Sequence, residues 1–184
     1  MKKSLWMIST IVLMLSVLVG CESVQEKKRK DPIDALITYK DSYVGDSSAV
    51  VNISYILPGG ENVQRVSLQT EKKPYSITID YGLKEGSDLT KEELDKLWNE
   101  KDARKAFVNN AIAYFILVKN VDVITFNVET TKPQSFSVTR TEIEKFVGKD
   151  VTEFADKPSL WKKEIEEGIV NNPDKIKQFF QERS

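Results

Sequence analysis

Four segments of the chain place apolar residues at every second position, the pattern of β-strands with one buried and one wet face. The clearest runs from Tyr75 to Tyr81, and the others cover residues 63–70, 122–129 and 135–140. Two short polar connections, 71–74 and 130–133, join the segments in pairs, and each ends in proline. The pattern therefore predicts two β-hairpins.

Around these hairpins, apolar residues recur three and four positions apart, as on one face of an α-helix. The strongest face, which follows a predicted N-cap at Asp102, holds Phe107, Ala111, Tyr114, Phe115 and Val118. Further helices are predicted from Pro32, over 49–57, from Thr90, from Thr141 and within 158–184. The order of elements predicts an α+β fold, a four-stranded antiparallel sheet of two hairpins with helices packed on one face.

The amino terminus is basic and then apolar, with Lys2 and Lys3 followed by a run from Leu5 to Val19. The run ends in four residues that resemble the lipobox of bacterial lipoproteins, Leu18-Val19-Gly20-Cys21. About 15 apolar residues are fewer than the ~20 of a membrane-spanning helix. The resemblance implies a signal peptide over 1–20 that is cleaved, and Cys21 lipidated with fatty acids such as palmitate.

This interpretation divides the mature chain into a lipidated flexible tether, residues 21–31, and a single extracytoplasmic domain, residues 32–184, with C-terminal helices over 158–184. The tether contains the basic cluster Lys27, Lys28, Arg29 and Lys30. Such a cluster either attracts anionic lipid headgroups or is simply a solvated part of the tether. The predicted location is the outer face of the cell membrane.

Composition excludes several classes of chemistry. The 184 residues contain no histidine, and Cys21 is the only cysteine. A Ser-His-Asp triad, a Cys-His pair and a His-containing zinc site are therefore impossible. We expect no metal and no cofactor. The net charge of −1 argues against general binding of nucleic acid, which requires a strongly basic face.

Two stretches resemble a bacterial family labelled domain of unknown function 4825. They are Tyr39-Lys40-Asp41-Ser42-Tyr43-Val44-Gly45-Asp46-Ser47-Ser48-Ala49-Val50 and Leu68 to Ile79, which includes Pro74-Tyr75-Ser76-Ile77. The resemblance covers roughly Ile33 to Val147. It implies a lipoprotein of a Gram-positive bacterium with an extracytoplasmic domain, and it supplies no activity, ligand or catalytic residue.

Two features are candidates for binding. The first is the loop between the first two helices, with Tyr39, Tyr43, Gly45 and Asp46. Its aromatic rings could contact a partner, or its glycine and aspartate could simply shape and cap the next helix. The second is the polar face of the hairpins, which is either a surface for a glycan or peptide or only the solvated face of the sheet.

These observations predict a non-enzymatic, membrane-anchored lipoprotein that binds or senses a component of the cell envelope. Its partners would be the membrane, through the lipid, and an envelope protein, without nucleic acid. Two alternatives stay open. One is a His-free hydrolase that cleaves cell-wall glycans with a pair of carboxylates. The other is a structural accessory subunit of a membrane complex.

Overall fold

The structure is a computed structural model that describes residues 31–183. The predicted signal peptide and Cys21 lie outside the described residues, as does the predicted tether except Asp31.

The described chain contains seven α-helices, four strands and one π-helix. In chain order the elements are α1 (Pro32–Leu36), α2 (Ser47–Ile56), β1 (Val63–Gln69), β2 (Ser76–Tyr81), α3 (Lys91–Leu97), α4 (Glu100–Leu117), β3 (Val123–Val128), β4 (Gln134–Thr139), α5 (Arg140–Val147), α6 (Pro158–Leu160), the π-helix (Trp161–Val170) and α7 (Pro173–Gln181). Three short 3₁₀ segments lie at Ile37–Tyr39, Gly60–Asn62 and Val151–Phe154.

The four strands form one sheet in the order β1-β2-β3-β4. Both predicted hairpins are confirmed, because β1 pairs antiparallel with β2, and β3 with β4. The prediction that the whole sheet is antiparallel is wrong, since β2 and β3 pair in parallel, with Ser76 opposite Val123 and Tyr81 opposite Val128. The fold is therefore α+β with a mixed sheet.

The parallel pair follows from the segment that joins the two hairpins. Parallel neighbours need a crossover of a dozen or more residues, usually a helix, that returns the chain to the end where the first strand began. Residues 82–122 contain α3 and the 18-residue α4, and they make this return. The long helix α4 makes the crossover between the two adjacent strands, and this single return gives the parallel pair in the middle of the sheet.

Helix α4 lies at the centre of the molecule. Eleven of its 18 residues are buried, among them Val108 and Ile112. A helix that is apolar on most of its circumference belongs in a core. Its Phe107 ring stacks on Phe126 of β3 and Phe136 of β4, with ring centres 5.6 and 5.5 Å apart. Within residues 31–183, no helix combines the length and apolarity needed to cross a bilayer.

Two helix starts differ from the predicted caps. The N-cap of α4 is Asn99, whose Oδ1 accepts from the backbone N–H of Asp102 at 3.2 Å. The capping box of α5 joins Thr139 and Glu142, two residues before the predicted Thr141. Each helix start has two possible cap residues close together, Asn99 and Asp102 for α4 and Thr139 and Thr141 for α5, so the local sequence does not decide between them. For α5, the end of β4 at Thr139 sets the start of the helix.

Helix α7 packs against the sheet and α5. Its Phe179 is buried and lies 4.7 Å from Phe146, between ring centres. Beyond the helix, Arg183 Nη2 donates to the Ser137 carbonyl at 2.7 Å and so covers part of the outer edge of β4. Covering an edge strand prevents its pairing with another chain.

Arg140, the first residue of α5, closes the C-terminal end of α4. Its guanidinium donates to the carbonyls of Phe115 at 2.8 Å, Val118 at 2.7 Å and Val121 at 3.1 Å. Burial lowers the pKa of Arg140, and the charge of Glu144 opposes this effect. The last carbonyls of a helix need such partners because no intrahelical N–H reaches them.

We predict that Arg140→Met lowers the free energy of unfolding by about 3 kcal/mol, because it leaves buried carbonyls without a donor. Urea denaturation followed by circular dichroism measures this change. The control is Arg65→Met, since Arg65 pairs with Asp80 on the exposed sheet face at 2.7 Å. An exposed ion pair contributes at most about 1 kcal/mol. Equal losses in the two variants would contradict the capping role.

Candidate functional site

A cleft of about 650 Å³ lies between α1, the C-terminal end of α2, α4 and the π-helix. Its volume falls in the range of small-molecule sites, about 300–1,000 Å³. The apolar lining comes from Ile33, Leu36, Ile56, Leu57, Ala106, Ala113, Trp161 and Val170. The polar lining comes from Asp31, Glu61, Asp102, Lys105, Asn109, Glu166 and Asn171. Apolar surface together with polar groups that converge from several elements is typical of ligand sites.

One stripe of α4 forms the floor of the cleft. Asp102, Ala106, Asn109 and Ala113 recur at three- and four-residue intervals, so they share a helix face. Phe107, which contacts the sheet, points about 160° away from Asn109 at about 100° per residue. Helix α4 therefore packs on the sheet with one side and lines the cleft with the other.

A buried amide joins the cleft to the core. Asn110 Nδ2 donates to the Pro58 carbonyl at 3.0 Å and to the Tyr81 hydroxyl at 3.1 Å, while its Oδ1 accepts from Asn109 at 3.1 Å. Burial raises the pKa of the Tyr81 hydroxyl. Pro58 and Asn109 both line the cleft, so this network fixes the floor and one wall relative to each other.

The π-helix forms the opposite wall. Its hydrogen bonds span five residues, and at its end Asn171 N–H donates to the Glu166 carbonyl at 2.8 Å. Trp161 and Glu166 therefore face the cleft together, whereas an α-helix would separate them by about 140°. Most π-helical segments are single turns, and they are frequent at functional sites.

Ion pairs and hydrogen bonds hold the cleft walls together. Lys162 Nζ of the π-helix donates to Asp31 Oδ2 at 2.6 Å, and this hydrogen bond lowers the pKa of Asp31. Asp31 is also the N-cap of α1. From α4, Lys105 Nζ donates to Asn171 Oδ1 at 2.8 Å. The π-helix is thus tied to both α1 and α4.

The predicted loop residues lie together on another surface. Tyr39 is half-buried, Tyr43 is 51% exposed, and Gly45 and Asp46 are exposed. Asp46 Oδ2 accepts from the Tyr43 N–H at 2.8 Å. None of the four lines the cleft. A binding role for Tyr39, Tyr43, Gly45 and Asp46 stays a prediction.

Backbone hydrogen bonds join the same loop to the end of α4. Ser42 N–H donates to the Leu117 carbonyl at 3.1 Å, and Lys119 N–H donates to the Ser42 carbonyl at 2.9 Å. Ser42 and Val118 form a parallel bridge. The loop therefore has a structural role, because its backbone is hydrogen-bonded to the C-terminal end of α4.

The polar sheet face is present as predicted, and its side chains bond to one another. Asp80 accepts from Arg65 Nε at 2.7 Å and from Asn127 Nδ2 at 2.8 Å. Ser135 Oγ donates to Asn127 Oδ1 at 2.8 Å. These bonds form a row across all four strands. Polar groups already paired in this way gain less from a ligand than free ones.

Residues 31–183 contain no group of three or more acidic side chains placed to hold a metal ion. Every buried side-chain nitrogen or oxygen in this range has a hydrogen-bond partner. The described chain is therefore an α+β protein with a mixed sheet, in which the clearest candidate site is the cleft behind the central helix.

The chain belongs to the family Domain of unknown function (DUF4825), whose model matches residues 36–139, more than half of the chain. No curated protein and no solved structure matches the chain. The matched range includes the sheet and α4, and it ends before the π-helix. Two cleft elements, the π-helix and all of α1 except Leu36, therefore lie outside the matched range.

Gly59, which lines the cleft, lies where a larger residue would meet the Trp98 ring. Its φ is +84°, and a Cβ there would lie 2.7 Å from Trp98 Cη2. We expect Gly59→Ala to lower the free energy of unfolding by about 3 kcal/mol, through backbone strain and overlap with the ring.

Gly86 is the matched control, since its φ is +75° and nothing lies within 4 Å of its added Cβ. Gly86→Ala should lose only the strain component, about 1 kcal/mol. Urea denaturation of both variants gives the comparison. A loss at Gly59 no larger than that at Gly86 would show that Trp98 does not restrict the wall.

Proposed function

We propose that the protein is a lipid-anchored binding module on the outer face of the cell membrane, and that the cleft is its ligand site. The observation that supports a ligand site is the apolar cleft of about 650 Å³ whose walls are fixed by hydrogen bonds and an ion pair. The sequence Leu18-Val19-Gly20-Cys21 supports the anchor.

The anchor and the cleft are close in the chain. Asp31, which lines the cleft and caps α1, comes ten positions after Cys21. Even fully extended, ten residues span at most about 35 Å. Lipid at Cys21 would therefore hold the cleft near the bilayer surface, where it meets envelope and lipid-derived molecules first.

Asp31 does not fit the acid of a glycoside hydrolase, because that acid needs a raised pKa and the hydrogen bond from Lys162 lowers the pKa of this carboxyl group. A lowered pKa suits the ionised second carboxylate of such an enzyme equally well. The proposal of a non-enzymatic module therefore rests on the cleft itself and not on Asp31.

The anchor is tested with the full chain expressed in a Gram-positive host and fed an alkyne fatty acid. We expect label on Cys21, loss of residues 1–20 by mass spectrometry, and recovery of the protein in the membrane fraction. Cys21→Ser is the control, and it should lose label and leave the membrane fraction. An unmodified thiol at Cys21, or label retained in the variant, would contradict the anchor.

The ligand site is tested by filling the cleft. Ala106 is half-buried on the floor, so Ala106→Phe should occupy space without disturbing the core. Ala49→Phe is the matched control, because Ala49 is also half-buried in a helix but does not line the cleft. We expect small molecules that copurify with the native chain and the control, measured by mass spectrometry after denaturation, to be depleted at least about tenfold in Ala106→Phe. Identical profiles in all three would contradict the site.

A further inference from the structure

The polar groups that line the cleft have an excess of negative charge. Among residues 31–183, four carboxylates line it and Lys105 is the only lysine that does. Two of the four carboxylates already have partners, because Asp31 pairs with Lys162 at 2.6 Å and Asp102 Oδ2 accepts from Asn99 Nδ2 at 2.6 Å. Lys105 donates to Asn171 at 2.8 Å.

The other two carboxylates, Glu61 and Glu166, have no salt bridge or side-chain hydrogen bond within residues 31–183. Their charges act on neighbouring groups, since Glu61 contributes to the raised pKa of Tyr81 and Glu166 to that of Lys162. Glu61 follows the turn after α2 and Glu166 lies on the π-helix, so they come from different walls. A bound cation would give one of them a partner.

The apolar part of the lining indicates that the ligand has an apolar body as well as a positive charge. The accessible apolar surface comes from Tyr55, which is 54% exposed, and from Ile56 and Ala106, which are half-buried, whereas Trp161 lines the cleft but is 97% buried. A purely inorganic cation would leave this surface wet, whereas an organic cation would cover it. Aromatic rings also attract ammonium groups, and the exposed ring of the lining is that of Tyr55. At the rim, Tyr55 already has Lys84 Nζ 5.3 Å from its ring centre.

We propose that the cleft binds a small amphipathic cation, with its apolar body on the α4 floor at Ala106 and on Ile56, and its ammonium group paired with one of the two carboxylates that have no side-chain partner, Glu61 or Glu166. This inference rests on the proposed function, because it names the chemical class of the ligand for the same cleft. The competing occupant is a basic segment of the same chain, since Lys27, Lys28, Arg29 and Lys30 directly precede Asp31.

The test uses three probes of similar shape and different charge: phenethylammonium, phenethyl alcohol and phenylpropanoate. Isothermal titration calorimetry with the full chain in a nonionic maltoside detergent, against a detergent blank, gives each Kd. We expect the ammonium probe to bind about tenfold more tightly than the alcohol, because one charge-assisted hydrogen bond contributes about this much. The difference in affinity between the ammonium probe and the carboxylate should be larger.

Variants assign the preference to named groups. Glu61→Gln with Glu166→Gln should reduce the preference for the ammonium probe about tenfold and leave the affinity for phenethyl alcohol unchanged. Glu92→Gln, an exposed change on α3 outside the cleft, should leave all three affinities unchanged. Ala106→Phe should weaken all three probes.

Each other outcome overturns the proposal in a distinct way. Equal binding of the three probes would refute the charge preference and leave a cleft for neutral ligands. Binding that Ala106→Phe does not weaken would place the probes elsewhere. If the native chain binds none of them, but a chain with Lys27, Lys28, Arg29 and Lys30 changed to Gln binds the ammonium probe, the basic segment is the occupant. No binding in either chain overturns the proposal outright, while the lipidation result at Cys21 is independent of all these measurements.

Discussion

The structure depends on the burial of α4 between the sheet and the outer helices. Phe107 stacks on β3 and β4, and the Tyr114 hydroxyl donates to the Val50 carbonyl of α2 at 2.9 Å on another side. The C-terminal half of α4 has no face in contact with solvent, so its last backbone carbonyls need hydrogen-bond donors from the protein itself. Arg140 supplies them, which ties the end of α4 to the junction of β4 and α5.

The position of α4 also explains where the cleft is. A central helix in a three-layer arrangement has one side toward the sheet and one side toward the outer helices. Near its N-terminal half the outer layer does not close over it, and Ala106 and Asn109 line the resulting cleft. The open sheet face, by contrast, has its polar groups paired in a row through Asp80 and Asn127. The packing of α4 therefore leaves a cleft on the side of the helix that faces away from the sheet. On the polar sheet face, the side chains already pair with one another.

Local pattern was sufficient for much of the fold and for little of the site. Period-two alternation predicted all four strands, and the apolar face of Phe107 to Val118 predicted the central helix. The parallel pairing of β2 and β3 was missed because it depends on where the crossover helix returns the chain. The π-helix was missed because Trp161, Ile165 and Ile169 are four apart, as in an α-helix. The cleft joins residues 130 positions apart, such as Asp31 and Trp161. Its polar floor residues Asp102, Lys105 and Asn109 gave no local signal, because the first half of α4 also contains other charged residues, Glu100, Lys101 and Arg104.

The most direct measurement is an NMR titration of the isotope-labelled full chain with phenethylammonium chloride, followed through backbone amide shifts. If the cleft is the ligand site, saturable changes will be confined to residues 31–36, 55–61, 102–113 and 161–171, the four segments that line it. Changes concentrated instead on the polar face of β1 to β4, or on the loop at Tyr43, would contradict this assignment, because the ligand would then occupy a surface that α4 does not form.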